Sequence, residues 1–262
     1  MSNGLIVEDK ERMTRVGSIL VSQPKPGDEK SPYYQLSDRF DVKIDFRPFI
    51  KIDPVDIKEF RRQKVNFLDH SAVIFTSRNA VDHYFRLAAE SKIEIPTDMK
   101  YFCISEQTAN YLQKYIVIRK RKIFTGHRTA MDLIEVLKKH PNEKYVFPCS
   151  DQRRDEIPGF MSENGFTFKE AIIYRTVASD LSDLADVNYD IIAFFSPSGI
   201  SSLFENFPKF TQNSTRIAAF GPTTAKAVKD AGLVLDIQAP LPDAPSMTGA
   251  LELYIKKANG IR

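Results

Sequence analysis

Apolar runs of strand length alternate with amphipathic stretches along most of this chain. The first run, SILVS (residues 18–22), is followed by a loop rich in proline and polar residues. A helical pattern around Tyr34–Arg39 precedes an extended run, residues 41–53, that changes character at Pro48, and residues 54–68 read as helix. SAVIFTS (71–77), KYFCIS (100–105), YIVIRKRKIF (115–124, one or two strands), KYVFPCS (144–150) and FTFKEAIIYRTVAS (166–179) read as strands. Helical patterns follow over 78–91, from Glu106, over 126–140 and over 153–165, the last stopped by Gly165. The final third repeats the plan with strands at 189–196, 216–221 and 235–240, and helices from Pro197, Pro222 and Ser246.

Strands alternating with helices predict parallel α/β layers, and the short connections predict a flavodoxin-like or Rossmann-like wind. The pattern also repeats internally. VIFTSRNAVDHYF (73–85) corresponds to AFFSPSGISSLF (193–204), and YFCISEQTANYLQKY (from Tyr101) to IAAFGPTTAKAVKDAG (from Ile217). Thr108 and Thr224 are 116 residues apart, as are Met131 and Met247, which predicts equivalent elements in one register. Ser77 and Ser196 are 119 apart, so a small insertion separates the copies. The expected architecture is two similar parallel-sheet lobes joined by two extended hinge strands, near Arg47–Ile52 and Tyr174–Ala178, with a site in the cleft between lobes. Periodicity alone leaves open which quarters of the chain pack together.

Bulk properties narrow the function. The 262 residues are 42% hydrophobic and 27% charged, with net charge +3, so a whole-molecule polyanion binder is not indicated. The one dense basic run, Arg119-Lys120-Arg121-Lys122, reads as a solvated loop or strand edge. Cys103 and Cys149 fall in apolar runs and read as buried packing thiols, which fits a reducing cytosol. No stretch is apolar enough to span a membrane, and residues 1–16 read as a flexible tail without a secretory signal. His70, His83, His127 and His140 are scattered and form no metal motif. A dinucleotide fingerprint, a phosphate loop and a nucleophile elbow are all absent.

What remains is a set of strand-to-helix switches built from small hydroxyl residues. The N–H groups at a helix start carry partial positive charge, and an anion gains roughly 0.3–2 kcal/mol there. FSPSGI offers Ser196 and Ser198, FGPTTA offers Thr223 and Thr224, and FTSRNAV offers Thr76, Ser77 and Arg78. ISEQTA adds Ser105 and Thr108, and CSDQRRDEIP adds Ser150, Arg153 and Arg154, one of those arginines facing solvent. Taken singly, each Ser or Thr is an ordinary N-cap. Repeated at the carboxyl ends of neighbouring strands, they suit a flexible polycarboxylate. Tyr174, at the start of an inter-lobe connection, can donate its phenolic proton to a leaving oxygen.

The combination FTSRNAV, FPCSDQRRDEIP, IIYRTV, FFSPSGI, AFGPTTAKAV and AP…SMTGAL resembles the uroporphyrinogen-III synthase family over residues 18–257. The resemblance implies one lobe from residues 17–48 with 177–262 and another from 49–176. It implies a cyclising lyase that converts the linear tetrapyrrole hydroxymethylbilane to uroporphyrinogen III. Ring D inverts through a spiro intermediate, and no cofactor or metal takes part. The family's proposed acid falls on Tyr174. Its substrate contacts fall on Ser77, Ser196, Ser198, Thr223 and Thr224, with Arg78, Ser105, Ser150 and Arg154 as further candidates, and its Lys-Arg-Glu helix start falls on Arg153, Arg154 and Asp155. Two departures from the family pattern stand out, Arg78-Asn79 after FTS and Ser105 where many relatives have Gly. A cytoplasmic monomer without nucleic-acid or membrane partners is expected; a non-catalytic tetrapyrrole-binding module of the same fold is the alternative.

Overall fold

The structure, a computed structural model, describes residues 5–6, 11–117, 119–185 and 187–261, without the side chains of Leu5 and Lys120. In chain order the strands are β1 (Leu5–Ile6), β2 (Ser18–Val21), β3 (Lys43–Phe46), β4 (Ile50–Pro54), β5 (Ala72–Phe75), β6 (Lys100–Cys103), β7 (Ile123–Thr125), β8 (Lys144–Ser150), β9 (Thr167–Ala178), β10 (Ile191–Phe194), β11 (Arg216–Phe220) and β12 (Leu235–Ala239). The helices are α1 (Pro32–Phe40), α2 (Ile57–Arg62), α3 (Arg78–Glu90), α4 (Glu106–Tyr111), α5 (Ala130–Leu137), α6 (Glu156–Glu163), α7 (Pro197–Asn206), α8 (Pro222–Asp230) and α9 (Met247–Ala258). The chain divides into two compact units, Met1–Lys51 with Val177–Arg262, and Ile52–Thr176.

The sheet of the first unit runs β1-β12-β11-β10-β2-β3, parallel except for β1, which is antiparallel to β12. The second sheet runs β4-β9-β8-β5-β6-β7, and β5 to β9 are parallel. The five parallel strands of each sheet correspond one for one: β3-β2-β10-β11-β12 matches β9-β8-β5-β6-β7. In the first unit this is the flavodoxin-like order 2-1-3-4-5. The second unit reaches the same order with its chain entering at the third strand. The sequence repeat is thus a circularly permuted pair, which periodicity left unresolved.

Strands β2, β5, β6, β8, β10 and β11 are buried on both faces, so they read as unbroken apolar runs rather than alternating ones. In the first unit Ile19 and Val21 face α1 and α9 residues such as Leu36 and Leu251, while Leu20 faces Ile200 of α7 and Val228 of α8. In the second, Val73 and Phe75 meet Phe60 and Tyr84, and Ile74 meets Leu133 and Met161.

Four expectations are corrected. The helix expected over 54–68 is broken: α2 ends at Arg62, Lys64 is left-handed at φ 53°, and Phe67–Asp69 forms a separate 3-10 turn. The run 115–124 is a strand only in β7, because Tyr115 caps a 3-10 turn, Leu112–Lys114, that continues α4, and a second turn spans Lys120–Lys122; Ile118 lies outside the described residues. The common register fails by one residue at the last helix pair. The N-caps are Thr129 and Ser246, 117 apart, so Met131 is 62% exposed whereas Met247 is 3% exposed.

The fourth correction concerns the expected flexible tail. Residues 1–4 and 7–10 are outside the described residues, but Leu5–Ile6 pairs with Ile237–Gln238. Arg12 binds Asp236 through Nε (2.6 Å) and Nη2 (3.0 Å). The buried Arg216 donates to Thr14 Oγ1 (2.9 Å), and Val16 is buried. Ordered partners in β11 and β12, invisible to local sequence, tie this segment down.

Candidate functional site

In parallel sheets of this kind, ligand sites form at the carboxyl ends of the strands, where the strand order reverses. In the second unit that point lies between β5 and β8, and a pocket of about 650 Å³ opens there. Its wall includes Thr76 after β5, Ile104 after β6, Ser150 at the end of β8 and Tyr174 and Thr176 in β9. The starts of α5 and α6 add Arg128, Thr129 and Glu156, with Arg153 and Arg154 just ahead of α6.

Tyr174 is 7% exposed and owes its placement to a β-bulge. The register runs Cys149↔Ile172 and then Ser150↔Tyr174, so Ile173 is an extra residue. Strict alternation would put Tyr174 on the face of Ile172. The bulge instead sends Ile173 and Tyr174 into the same cluster, beneath α3. There the phenol meets Ser77 Oγ at 3.1 Å, and its ring stacks on His83 with centroids 5.4 Å apart. Burial raises the Tyr174 pKa above its ordinary value, with the Ser77 hydrogen bond opposing that shift. Burial lowers the His83 pKa, and the Arg86 charge adds to it. Arg86 Nε donates to His83 Nδ1 (3.2 Å), so the neutral ring carries its proton on Nε2.

The arginines of the pocket differ in their freedom. Arg153 is held by Glu170, with Nη2–Oε1 at 2.7 Å, and by Asp155 at 2.9 Å. Arg128 and Arg154 are exposed and have no ion-pair partner among the described residues. Ser150 Oγ donates to Asp151 Oδ1 (2.9 Å) and accepts from the Gln152 N–H. Cys149 also lines the pocket, but burial pushes its thiol, like that of Cys103, up to about 12, so both stay protonated. Both are free and buried.

Other candidates sit at helix starts outside that pocket. Ser77 caps α3 by accepting from Ala80 N–H (3.0 Å), and Ser105 caps α4 by accepting from Thr108 N–H (3.3 Å). Arg78 lies over the Tyr111 ring at 5.5 Å. In the first unit, Ser196 caps α7 through Gly199 N–H (3.3 Å), and Ser198 is half-buried in its first turn. At α8 the cap residue is Gly221, which has no side chain to offer, and Pro222 has no N–H. The first N–H donors there, of Thr223 and Thr224, therefore have no side-chain cap. Thr223 is exposed, whereas Thr224 is only 1% exposed, so the expected Thr224 contact is withdrawn from the surface of this helix start.

The family model of uroporphyrinogen-III synthase HemD matches residues 33–249, most of the chain. The chain belongs to the uroporphyrinogen-III synthase family. It is 27% identical over 239 residues to the uroporphyrinogen-III synthase of Saccharomyces cerevisiae, covering 80% of this chain and 86% of that one. It is 24% identical over 260 residues to that of Chlorobaculum parvum, covering 91% and 99%. The fold matches the crystal structure of the Helicobacter pylori enzyme with TM-score 0.60 at 18% identity, covering 94% of this chain and 100% of the other. A mutant Thermus thermophilus uroporphyrinogen III synthase matches with TM-score 0.57 at 14% identity and the same coverage.

Sequence reasoning passed over two residues at the sites, Arg128 and His83, and marked a third, Ser246, only as a helix start. Arg128 shares the pocket with Arg154, His83 lies under Tyr174, and Ser246 caps α9 through Gly249 N–H (3.0 Å). Helical spacing does not point to His83, because six positions on from Ser77 is about 120° around the helix; its place under Tyr174 follows from tertiary packing. Nothing local marks Arg128. Gly221 carries a sharper constraint. Its φ of 84° and ψ of 157° fall in a region only glycine adopts without strain. Gly221→Ala is expected to destabilise the protein by about 1–3 kcal/mol, read as a lower denaturant midpoint with unchanged slope.

Proposed function

We propose that this protein is a uroporphyrinogen-III synthase in the full catalytic sense, closing hydroxymethylbilane to uroporphyrinogen III with inversion of ring D and loss of water. The family match over residues 33–249 carries this reading, and the pocket around Tyr174 supports it. The pyrrole nitrogen of ring A pushes electrons toward the hydroxymethyl carbon as its C–O bond breaks. Tyr174 donates its phenolic proton to the departing oxygen, which leaves as water. The substituted carbon of ring D then attacks the exposed carbon to form the spiro intermediate. Fragmentation and re-closure on the other ring position follow, and the proton released in the last step restores the phenol. The reaction needs little acid help, so folding the bilane contributes most, up to roughly 7–11 kcal/mol of barrier.

Arg128 and Arg154 are suited to the acetate and propionate groups of the bilane, as charge-assisted donors. The starts of α7 and α8, with Ser196, Ser198 and Thr223, offer carboxylates neutral donors, and Ser105 and Ser150 complete the polar set. Arg78 is held over Tyr111 and serves best as a peripheral charge. The protein acts on a small molecule as a cytoplasmic monomer, without nucleic acid, membrane, metal or cofactor. Among the described residues no helix is long and apolar enough to cross a membrane.

The test is incubation of the purified protein with fresh hydroxymethylbilane and separation of the oxidised uroporphyrin isomers. The expected product is mainly isomer III without added metal or nucleotide. Isomer I alone, at the rate of buffer, would sink the reading; tight binding of the bilane without turnover would make the protein a binding module.

A further inference from the structure

We propose that Ser77 is a positioning residue for Tyr174, its hydroxyl donating to the phenolic oxygen so that the phenol's own proton stays free for the reaction. The inference rests on the reading of Tyr174 as the acid. Ser77 Oγ has one proton and two lone pairs. One lone pair accepts the Ala80 N–H at 3.0 Å, and the phenol lies 3.1 Å away. If the phenol donated to Ser77, its proton would point at α3 and be lost to the pocket. Two features favour the opposite sense. Ser77 sits at the positive end of the 13-residue helix α3, which draws electrons from its oxygen and makes it a better donor than acceptor. Tyr174 lines the pocket, whereas its neighbour Ser77 does not.

The ring is fixed as well as the oxygen. His83 stacks on it at an interplanar angle of 30°. The imidazole is in turn held by Arg86, which also binds Val55 O (2.8 Å) and Glu90 (2.9 Å). The charge balance is simple. As the C–O bond breaks, the phenolic proton leaves with the oxygen as water, and the phenolate that remains accepts the Ser77 O–H. The proton lost at final ring closure returns to it. Ser77 therefore stabilises negative charge that exists only after proton transfer, so its removal lowers kcat rather than raising KM. Burial and the Asp151 charge oppose ionisation of the phenol, and the Ser77 hydrogen bond is the contact that favours it.

The experiment uses the full chain with Ser77→Ala, Ser77→Thr and Ser77→Asp, scored by kcat, by KM for hydroxymethylbilane and by titration of Tyr174 in the free protein. The titration follows tyrosine labelled with carbon-13 at Cζ, with the Tyr174 resonance assigned by its absence in Tyr174→Phe. Asp caps a helix as well as Ser but cannot donate when ionised. The expected result is a loss of about 10–100-fold in kcat for Ala and Asp at nearly constant KM. The Tyr174 titration moves to higher pH in both, and Thr restores each value. Wild-type kcat and titration in Ser77→Asp would reduce Ser77 to a cap and overturn the proposal. A rise in KM alone would make it a substrate contact and overturn it equally. Failure of the underlying reading shows on a different variant, as wild-type turnover by Tyr174→Phe.

Discussion

Tyr174→Phe is expected to lower kcat by at most about 10²–10⁴-fold, the range over which a positioned acid contributes to a proton-assisted step. The phenol has no other job of that size. It makes one hydrogen bond among the described residues, to Ser77, and its ring packing survives the change to Phe. Loss of one such bond costs stability only about 0.5–1.5 kcal/mol. The ratio of variant to wild-type rate should also be flat between neutral and mildly alkaline pH. Burial raises the phenol's pKa above its ordinary 10.0, so the proton is fully present there and is lost only as pH rises through the elevated value. The measurement is the initial rate of isomer III formation at several pH values. Wild-type kcat would remove Tyr174 from the acid role and leave the pocket's arginines and helix starts to act by positioning alone.

The largest stability effect is expected from Arg12, in the segment whose local sequence suggests a frayed tail. Asp236 is 1% exposed and holds the Arg12 guanidinium in a two-point contact. The same guanidinium donates to Thr215 O (2.7 Å) and Asn213 O (3.1 Å), tying the segment to the β11 entry. Arg12→Ala leaves a buried carboxylate with the Ile217 N–H (2.8 Å) and Gln212 Nε2 (3.3 Å) as its remaining donors. Removing one partner of a buried pair costs roughly 3–5 kcal/mol, and the surviving donors argue for the lower end, about 3. At about 2–4 °C per kcal/mol this lowers Tm by roughly 6–12 °C, with calorimetry as the readout. Arg12→Ala with Asp236→Asn should lose less than Arg12→Ala alone, because the stranded charge is gone. A Tm within about 1 °C of wild type would mean that the segment contributes nothing to the first unit's stability.

These two residues differ in how far sequence could reach them. Tyr174 stands out beside a run of apolar residues and within the family's IIYRTV pattern. Arg12 is one charge among several in a polar stretch, and its partner is 224 residues away. The helix starts were legible for a local reason. Ser77, Ser105, Ser196 and Ser246 each cap the helix they precede through the N–H three residues on. Gly221 was legible only in part. GPTTA does open a helix, and its bare start follows from Gly221 and Pro222 themselves, but the burial of Thr224 follows from packing on β11 and β12.

By itself the sequence determined the alternation of strand and helix, the duplicated plan, the helix starts and the family, because all of these depend on neighbours within a few residues or on pattern along the chain. Tertiary structure decided the pairing of first and last segments in one sheet, the strap at Arg12 and the pocket that joins Arg128 to Arg154. It also decided the bulge at Ile173, which moves Tyr174 from the face of Ile172 to the face of Ser77 and His83. The side-chain period of a strand is two, so one inserted residue reverses every orientation beyond it. That insertion is defined only by the register against β8, a property of two strands and of neither alone.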